Sequence, residues 1–507
     1  MAWAATTVTG EVPPSLMLQL AARLAQLLPP PGNQPPPGGK QARDQGALPQ
    51  HAAAMLHALA CTHAYNGHTV DALCGWLAQR AASVDVRTLA SCLYAVGELR
   101  HWHAQLIEAA TAAVTPLLPD ARPQDVANLS KAAAVLGLGL PAAALRTTQA
   151  PPLGVPVVAA AGQAAGAAAA ADPQAAAAPG AAGSPGNRQQ PWAPSAGAGP
   201  GPGALDAGLQ RQFVSVLAAA AVHVAPLMSM TELATTAWAL IGVLGLHTNS
   251  RLVEALSVAL EDEWPASAAP AAAAGGGGGG ETAAAVAAAA AAAAPRSFKG
   301  LLSRAPAPQR LAPWDASMLF LAHQRMRADG CPLQLLPREE AVGEVRQSYL
   351  SSGMLLGGGG AAATLADGGG GEDGGPPAGR PRVEVVPVLA SLLHAAGLRA
   401  VAQQTSPDGC LSIPLLVPEF RGRRVAVVED TPALLFRNDA ARRLGQAALR
   451  DRLLAAAGHA VLALSARQVL RLSEATLVQL LEAASAAQPA AAAPRRLPDE
   501  AGLGELS

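Results

Sequence analysis

Aromatic side chains make up only 3% of this 507-residue chain. Its apolar fraction of 50% overstates what it can bury, because alanine carries much of that figure and contributes little area per residue. Cysteine is equally scarce: Cys61, Cys74, Cys92, Cys331 and Cys410 are too few and too scattered for a disulfide scaffold, so a reducing compartment is the simpler reading. The series Cys61, His63, His68, Cys74 contains no tight Cys-x-x-Cys knuckle, and no metal or cofactor is expected. Neither sign of charge dominates, with 35 basic against 36 acidic residues and a formal net charge of −1, which excludes whole-chain steering toward nucleic acid and leaves only local patches. No apolar run has transmembrane quality, and the alanine stretch at 284–295 is too short and too small-chained to span a bilayer, so no membrane insertion is expected. The opening residues lack the basic and hydrophobic regions of a secretion signal, and also the arginines of a clear organellar transit peptide.

What the chain does contain is a pattern. The segments at 50–62, 87–99 and 125–137 superpose at a spacing of about 37 residues. Ala53, Ala90 and Ala127 fall on one another, as do Leu56, Leu93 and Ser130, then Ala58, Ala95 and Ala132. A fourth copy at 232–245 fits through Leu233, Ala234, Trp238, Ala239 and Leu240. Helix-like runs at 70–82 and 103–118 lie between copies, and 15–28 reads as part of a preceding one. Small alanines let paired helices approach closely while Leu, Val and an aromatic fill the space between layers. One such hairpin cannot bury its apolar face alone, so stacking is expected; the alternative is an alanine-rich helical domain with chance periodicity. The fold class expected is mainly α, an α-α hairpin repeat solenoid followed by a small C-terminal α/β module.

Composition divides the chain into repeats over 1–145, a Pro/Ala/Gly-rich insertion at 146–206, continued repeats over 207–262 and a second low-complexity linker at 263–308. A helical pair follows at 309–355, then a Gly-rich linker at 356–381, the module at 382–487 and a tail at 488–507. The low-complexity stretches cannot offset ordering entropy with buried surface, so disorder or loops are expected there, with transient helix at 284–295.

The module reads as a helix ending near Gly397, three strands with a turn at Pro407-Asp408-Gly409, a long helix from about Ala440 to Ala457, a strand at His459–Leu464 and a last helix near 473–485. The β-branched run Val425–Val428 ends at Glu429-Asp430 and turns at Thr431-Pro432. Asp430, Pro432, Leu444-Gly445, Leu449-Arg450, Leu453-Leu454 and Gly458 together resemble the RAP domain, an RNA-binding module found at the C-terminus of organellar RNA-processing proteins. The chain departs from that pattern at Val428, Thr431, Leu434 and His459, where the family carries Glu, Gly, His and Trp. The Leu-Ala-x-x-Leu-x-Ala-Leu repeat, in turn, is similar to the octotricopeptide repeats of green algal organelle proteins and to the helical repeats of FAST-kinase-domain proteins.

The joint resemblance implies a chloroplast or mitochondrial factor for RNA stability, splicing, ribosomal RNA processing or translation. Single-stranded RNA would be its partner, with organellar ribosomal or RNA-processing proteins beside it. On such a solenoid Arg87, Arg100, His101, His103 and Lys131 are candidate RNA contacts, and Tyr94 and Trp238 are either nucleobase platforms or layer-filling aromatics. In the module, Arg437, Asn438, Arg442, Arg443 and Arg450 read as a phosphate-binding set or as a solvated helix start. The RAP domain is also similar to restriction-endonuclease-type folds, whose metal-binding acidic positions fall here at or near Pro414 and at Val428; Glu429 and Asp430 remain, as metal ligands or as partners of Arg450 or Arg424. Converging carboxylates and a lysine are therefore missing, and a non-catalytic role is expected. A helical scaffold for protein partners is the structural alternative. The glycine runs lack a Gly-Lys-Ser/Thr ending and suggest no nucleotide site.

Overall fold

The computed structural model describes residues 13–28, 48–145, 205–264, 311–352, 384–406 and 411–487. The low-complexity expectations at 146–206, 263–308, 356–381 and 488–507, the alanine run and the Pro407-Asp408-Gly409 turn fall almost wholly outside these residues.

Eleven helices precede the first strand-bearing segment among the described residues: α1 (Pro14–Leu27), α2 (Pro49–Cys61), α3 (Gly67–Ala78), α4 (Val86–Glu98), α5 (Ala104–Val114), α6 (Pro123–Leu136), α7 (Ala207–Val224), α8 (Met230–Thr236), α9 (Ser250–Glu263), α10 (Pro313–Ala328) and α11 (Glu339–Ser351). Their starts are set locally. Asn66 and Asp85 accept the Thr69 and Thr88 amides at 3.0 and 2.8 Å, and His103 accepts that of Leu106 at 3.1 Å, each satisfying a donor left over by the first turn. Proline at the first turn opens α1, α2, α6 and α10, where its missing amide costs nothing.

The helices form two layers. In chain order, α2, α4, α6, α8 and α10 pack each on the next, while α3, α5, α7 and α9 lie side by side behind them and α11 backs α10. The superposed alanines explain the close stacking: Ala53, Ala90, Ala127 and Ala234 are all buried, as are Leu56 and Leu93 between them. After Thr236 the inner layer changes pitch, since Ala237–Val243 forms a seven-residue π-helix.

The C-terminal part begins with α12 (Val385–Ala395), then β1 (Val401–Thr405), β2 (Ser412–Phe420), β3 (Arg423–Glu429), α13 (Gly445–Ala456), β4 (His459–Leu464), α14 (Ala466–Val469) and α15 (Glu474–Ala487). The sheet order is β1-β2-β3-β4; the first two pairings are antiparallel and β3 with β4 is parallel. Arg421 and Gly422, both at positive φ, make the tight turn between β2 and β3. The described chain is thus mainly helical, with a small C-terminal mixed sheet.

The two faces of that sheet bury against different things, as strand alternation requires. Val425 and Val427, with Leu415 and Leu462, face Leu389, Leu393 and Leu477 of α12 and α15. Ala426 and Val428, with Leu416 and Ala463, join Leu449 and Leu454 of α13 in the same hydrophobic core as the helical layers. Being covered on both sides is why β3 reads as an unbroken apolar run. The helix expected from about Ala440 starts instead at Gly445, because Leu435 and Arg443 pair as an isolated β-bridge and hold the preceding residues extended.

The seam and the free face as candidate sites

Candidate residues more than 300 positions apart in sequence meet at a seam between the helical layers and the loop before α13. The turn after α4 presents the carbonyls of Arg100 and Trp102, and the turn after α6 presents that of Leu145. Arg437 N–H donates to Arg100 O at 2.7 Å, and Arg443 N–H to Leu145 O at 2.8 Å. Asn438 grips Trp102 from both sides, its Oδ1 accepting the Trp102 amide and its Nδ2 donating to the carbonyl, each at 2.8 Å. Arg100 returns the contact through Nη1 to Pro432 O at 2.8 Å. The Arg442 guanidinium lies 3.5 Å above the Trp102 ring, Phe436 meets the same ring edge-on at 5.4 Å, and Arg437 sits 5.0 Å from the Tyr65 ring. Helix C-termini carry partial negative charge, so an arginine-rich loop is the chemical complement of these turns.

Behind the seam, His101 is fully buried, its Nδ1 3.0 Å from Tyr65 Oη and its Nε2 2.9 Å from Asp71 Oδ1. Burial lowers its pKa and outweighs the opposing pull of Asp71. The neutral ring therefore donates from Nε2 to Asp71 and accepts the Tyr65 hydroxyl proton at Nδ1. His103 caps α5 and its pKa is likewise lowered by burial.

Arg443 and Arg450 go to a buried ion cluster rather than to solvent. Arg443 Nε lies 2.8 Å from Asp430 Oδ2, Arg450 Nη2 lies 2.9 Å from Asp430 Oδ1, and Asp451 is 2.7 Å from Arg443 and 3.0 Å from Arg450. Arg450 Nη1 also donates to Glu429 O at 2.9 Å, tying α13 to the end of β3. Of the remaining residues matching the RAP pattern, Leu444, Leu449, Leu453 and Leu454 are buried, Pro432 is exposed in the loop, and Gly458 turns the chain into β4 at positive φ. Gly445 is where α13 touches the inner layer. A Cβ there would fall 1.9 Å from Ala134 O and 2.9 Å from Val243 Cγ1, so no other residue fits without moving the helix.

The other region is the face of α2, α4 and α6 turned away from the second layer. Positions 37 residues apart line up across the three helices: Gln50, Arg87 and Gln124; Ala54, Ser91 and Asn128; His57, Tyr94 and Lys131; Cys61, Glu98 and Val135. All but Val135 are exposed or half-buried. The His57 and Tyr94 rings are 5.9 Å apart, Lys131 Nζ is 5.0 Å from the Tyr94 ring, and Lys131 pairs with Glu98 at 2.9 Å. Burial pulls the Lys131 ammonium down, but Glu98 beside it prevails and leaves its pKa raised. Trp238, which matches Tyr94 in the repeat, is buried in the core instead.

Sequence reasoning named Arg100, His101, His103, Arg437, Asn438 and Arg442 without bringing the two sets together, and it missed Tyr65, Trp102 and Phe436. The available signal was the run Arg100-His101-Trp102-His103, which sets one of the chain's few aromatics between basic residues. Among the described residues no group of three or more His, Cys, Asp or Glu is placed to hold a metal ion, and no helix is long and apolar enough to cross a membrane. No protein-family model matches the chain, and no curated protein matches it.

Proposed function

We propose that this chain is a non-catalytic RNA-binding protein of a chloroplast or mitochondrion, acting in transcript stability, splicing, ribosomal RNA processing or translation. In this reading the stacked helices are an octotricopeptide-like solenoid and the C-terminal part a RAP-like module. The observation that carries it is the free face of α2, α4 and α6. Two buried rows repeat alanine from helix to helix, at Ala53, Ala90, Ala127 and at Ala58, Ala95, Ala132, whereas the outward rows change between polar and aromatic chemistry at the same 37-residue interval: His57, Tyr94, Lys131 in one, Ala54, Ser91, Asn128 in the next. A regular frame with variable polar and aromatic side chains suits reading successive unstacked bases, with Arg87 and Lys131 on phosphate. The seam contributes rigidity, holding the module against the inner layer.

Binding of the full chain to a pool of single-stranded RNA at about 150 mM salt tests this. Tyr94→Ala and Lys131→Gln should each weaken binding by roughly fivefold or more, in the range expected for loss of a base stack or a charged contact. Unchanged affinity in both variants would remove the free face from the reading. The scaffold alternative draws on α1, whose Leu16, Leu20 and Leu27 are exposed, and is favoured if no RNA binds.

A further inference from the structure

Beyond the seam, α13 carries an arginine that neither the ion cluster nor the docking loop uses. Arg452 Nη1 lies 3.6 Å from the point a Cβ would occupy on Gly245, and Arg325 Nη2 from α10 lies 3.6 Å from that same point. Gly245 ends the π turn at φ +75°, and its missing side chain leaves the space between the two guanidinium groups unfilled. Arg325 is neutralised through Nε by Asp329 at 2.7 Å, and His247 Nε2 turns to the same carboxylate at 3.3 Å. That one carboxylate is thus already shared by Arg325 and His247. Among the described residues, none accepts a hydrogen bond from Arg452 or forms an ion pair with it. Burial lowers the Arg452 pKa, and Arg325 lowers it further, against the weaker pull of Asp329. Two forked donors converging with a deficit of negative charge are an arrangement suited to an oxyanion with several acceptor oxygens.

We propose that Arg325 and Arg452 form a phosphate-binding site beside Gly245, at the junction of the π turn, α10 and α13. The site does not depend on the RNA reading. It takes a phosphate group, whether of a small phosphorylated molecule or of an RNA backbone, and in either case the ligand bridges the helical layers to the C-terminal part.

The test is thermal unfolding of the full chain and its Arg452→Gln variant in inorganic phosphate and in chloride of matched ionic strength. Phosphate should raise the wild-type midpoint by about 2 °C or more beyond any rise in the variant, by mass action on the folded state. In chloride, the variant should unfold at the same temperature or higher, because the substitution removes an unneutralised cation from beside Arg325. An equal phosphate response in both proteins would overturn the proposal, as would a loss of several degrees in chloride, which would make Arg452 a structural partner. Single-stranded RNA distinguishes the sources. Binding that weakens in Arg452→Gln and is competed by inorganic phosphate places an RNA phosphate there, whereas unaffected RNA binding beside an intact phosphate response assigns a small ligand.

Discussion

The seam and the free face both set a cation over an aromatic ring, Arg442 on Trp102 in one and Lys131 beside Tyr94 in the other. At the seam the main-chain groups around the stack are taken up by the opposing segment, and the arginines behind it are neutralised by Asp430 and Asp451. On the free face the side chains change from helix to helix, and apart from the Lys131–Glu98 pair between α6 and α4 they leave the row half-exposed to solvent. The difference teaches that a basic, aromatic signature says little until the partners of its polar atoms are known. The same residue types fasten one part of the molecule to another and, some distance away, are displayed.

The contrast breaks most sharply at Asp430. Asp430→Ala leaves two buried guanidinium groups with Asp451 as their one carboxylate and should cost about 3 kcal/mol in denaturant unfolding, with Asp430→Asn close behind; a loss below about 1 kcal/mol would show the cluster to be solvated. Acid should act on the helical layers themselves. The His323 pKa is lowered to about 4 by burial and by Arg327, so the unfolded chain binds its proton first. Its contribution is complete above pH 6.5 and is lost as the pH falls from there toward 4, by about 3 kcal/mol at most. His323→Gln should flatten that part of the stability profile, and an unchanged slope would contradict the assignment. Gly445→Ala pushes α13 off Ala134 and should cost about 2 kcal/mol, measured together with faster proteolysis of the loop at 432–443. The smallest effect is expected on the free face, where Tyr94→Ala should move stability by about 1 kcal/mol or less because the ring is only half-buried, while its effect appears in RNA affinity. A large stability loss there would turn the displayed row into core.

Much of the helical part was legible because its period is written in alanine. The segments at 50–62, 87–99, 125–137 and 232–245 became α2, α4, α6 and α8 with its π continuation, since small residues at fixed spacing admit few other packings. The strands were legible from β-branched and apolar runs, whereas the tight turn at Arg421-Gly422 was not singled out. The seam was not, because nothing local tells that Asn438 will grip the backbone of Trp102, and docking depends on two surfaces built independently. Arg443 and Arg450 illustrate the same blindness. Beside Leu444 and Leu449 they read equally well as solvated or phosphate-binding, and only the approach of Asp430 from the end of β3 buries them. Tyr94 and Trp238 share a repeat position, yet the change of pitch after Thr236 and the arrival of α13 put one half in the open and the other inside.

The sheet with two different linings has a consequence for how the chain is made. During synthesis the helical layers leave the ribosome first and can stack in order while the C-terminal part is still being added. The sheet cannot complete its second lining until α13 has settled on a surface that is already there. A chain truncated before residue 384 is therefore expected to leave the apolar surface that α13 covers, around Ala134 and Val243, open to solvent and to proteases.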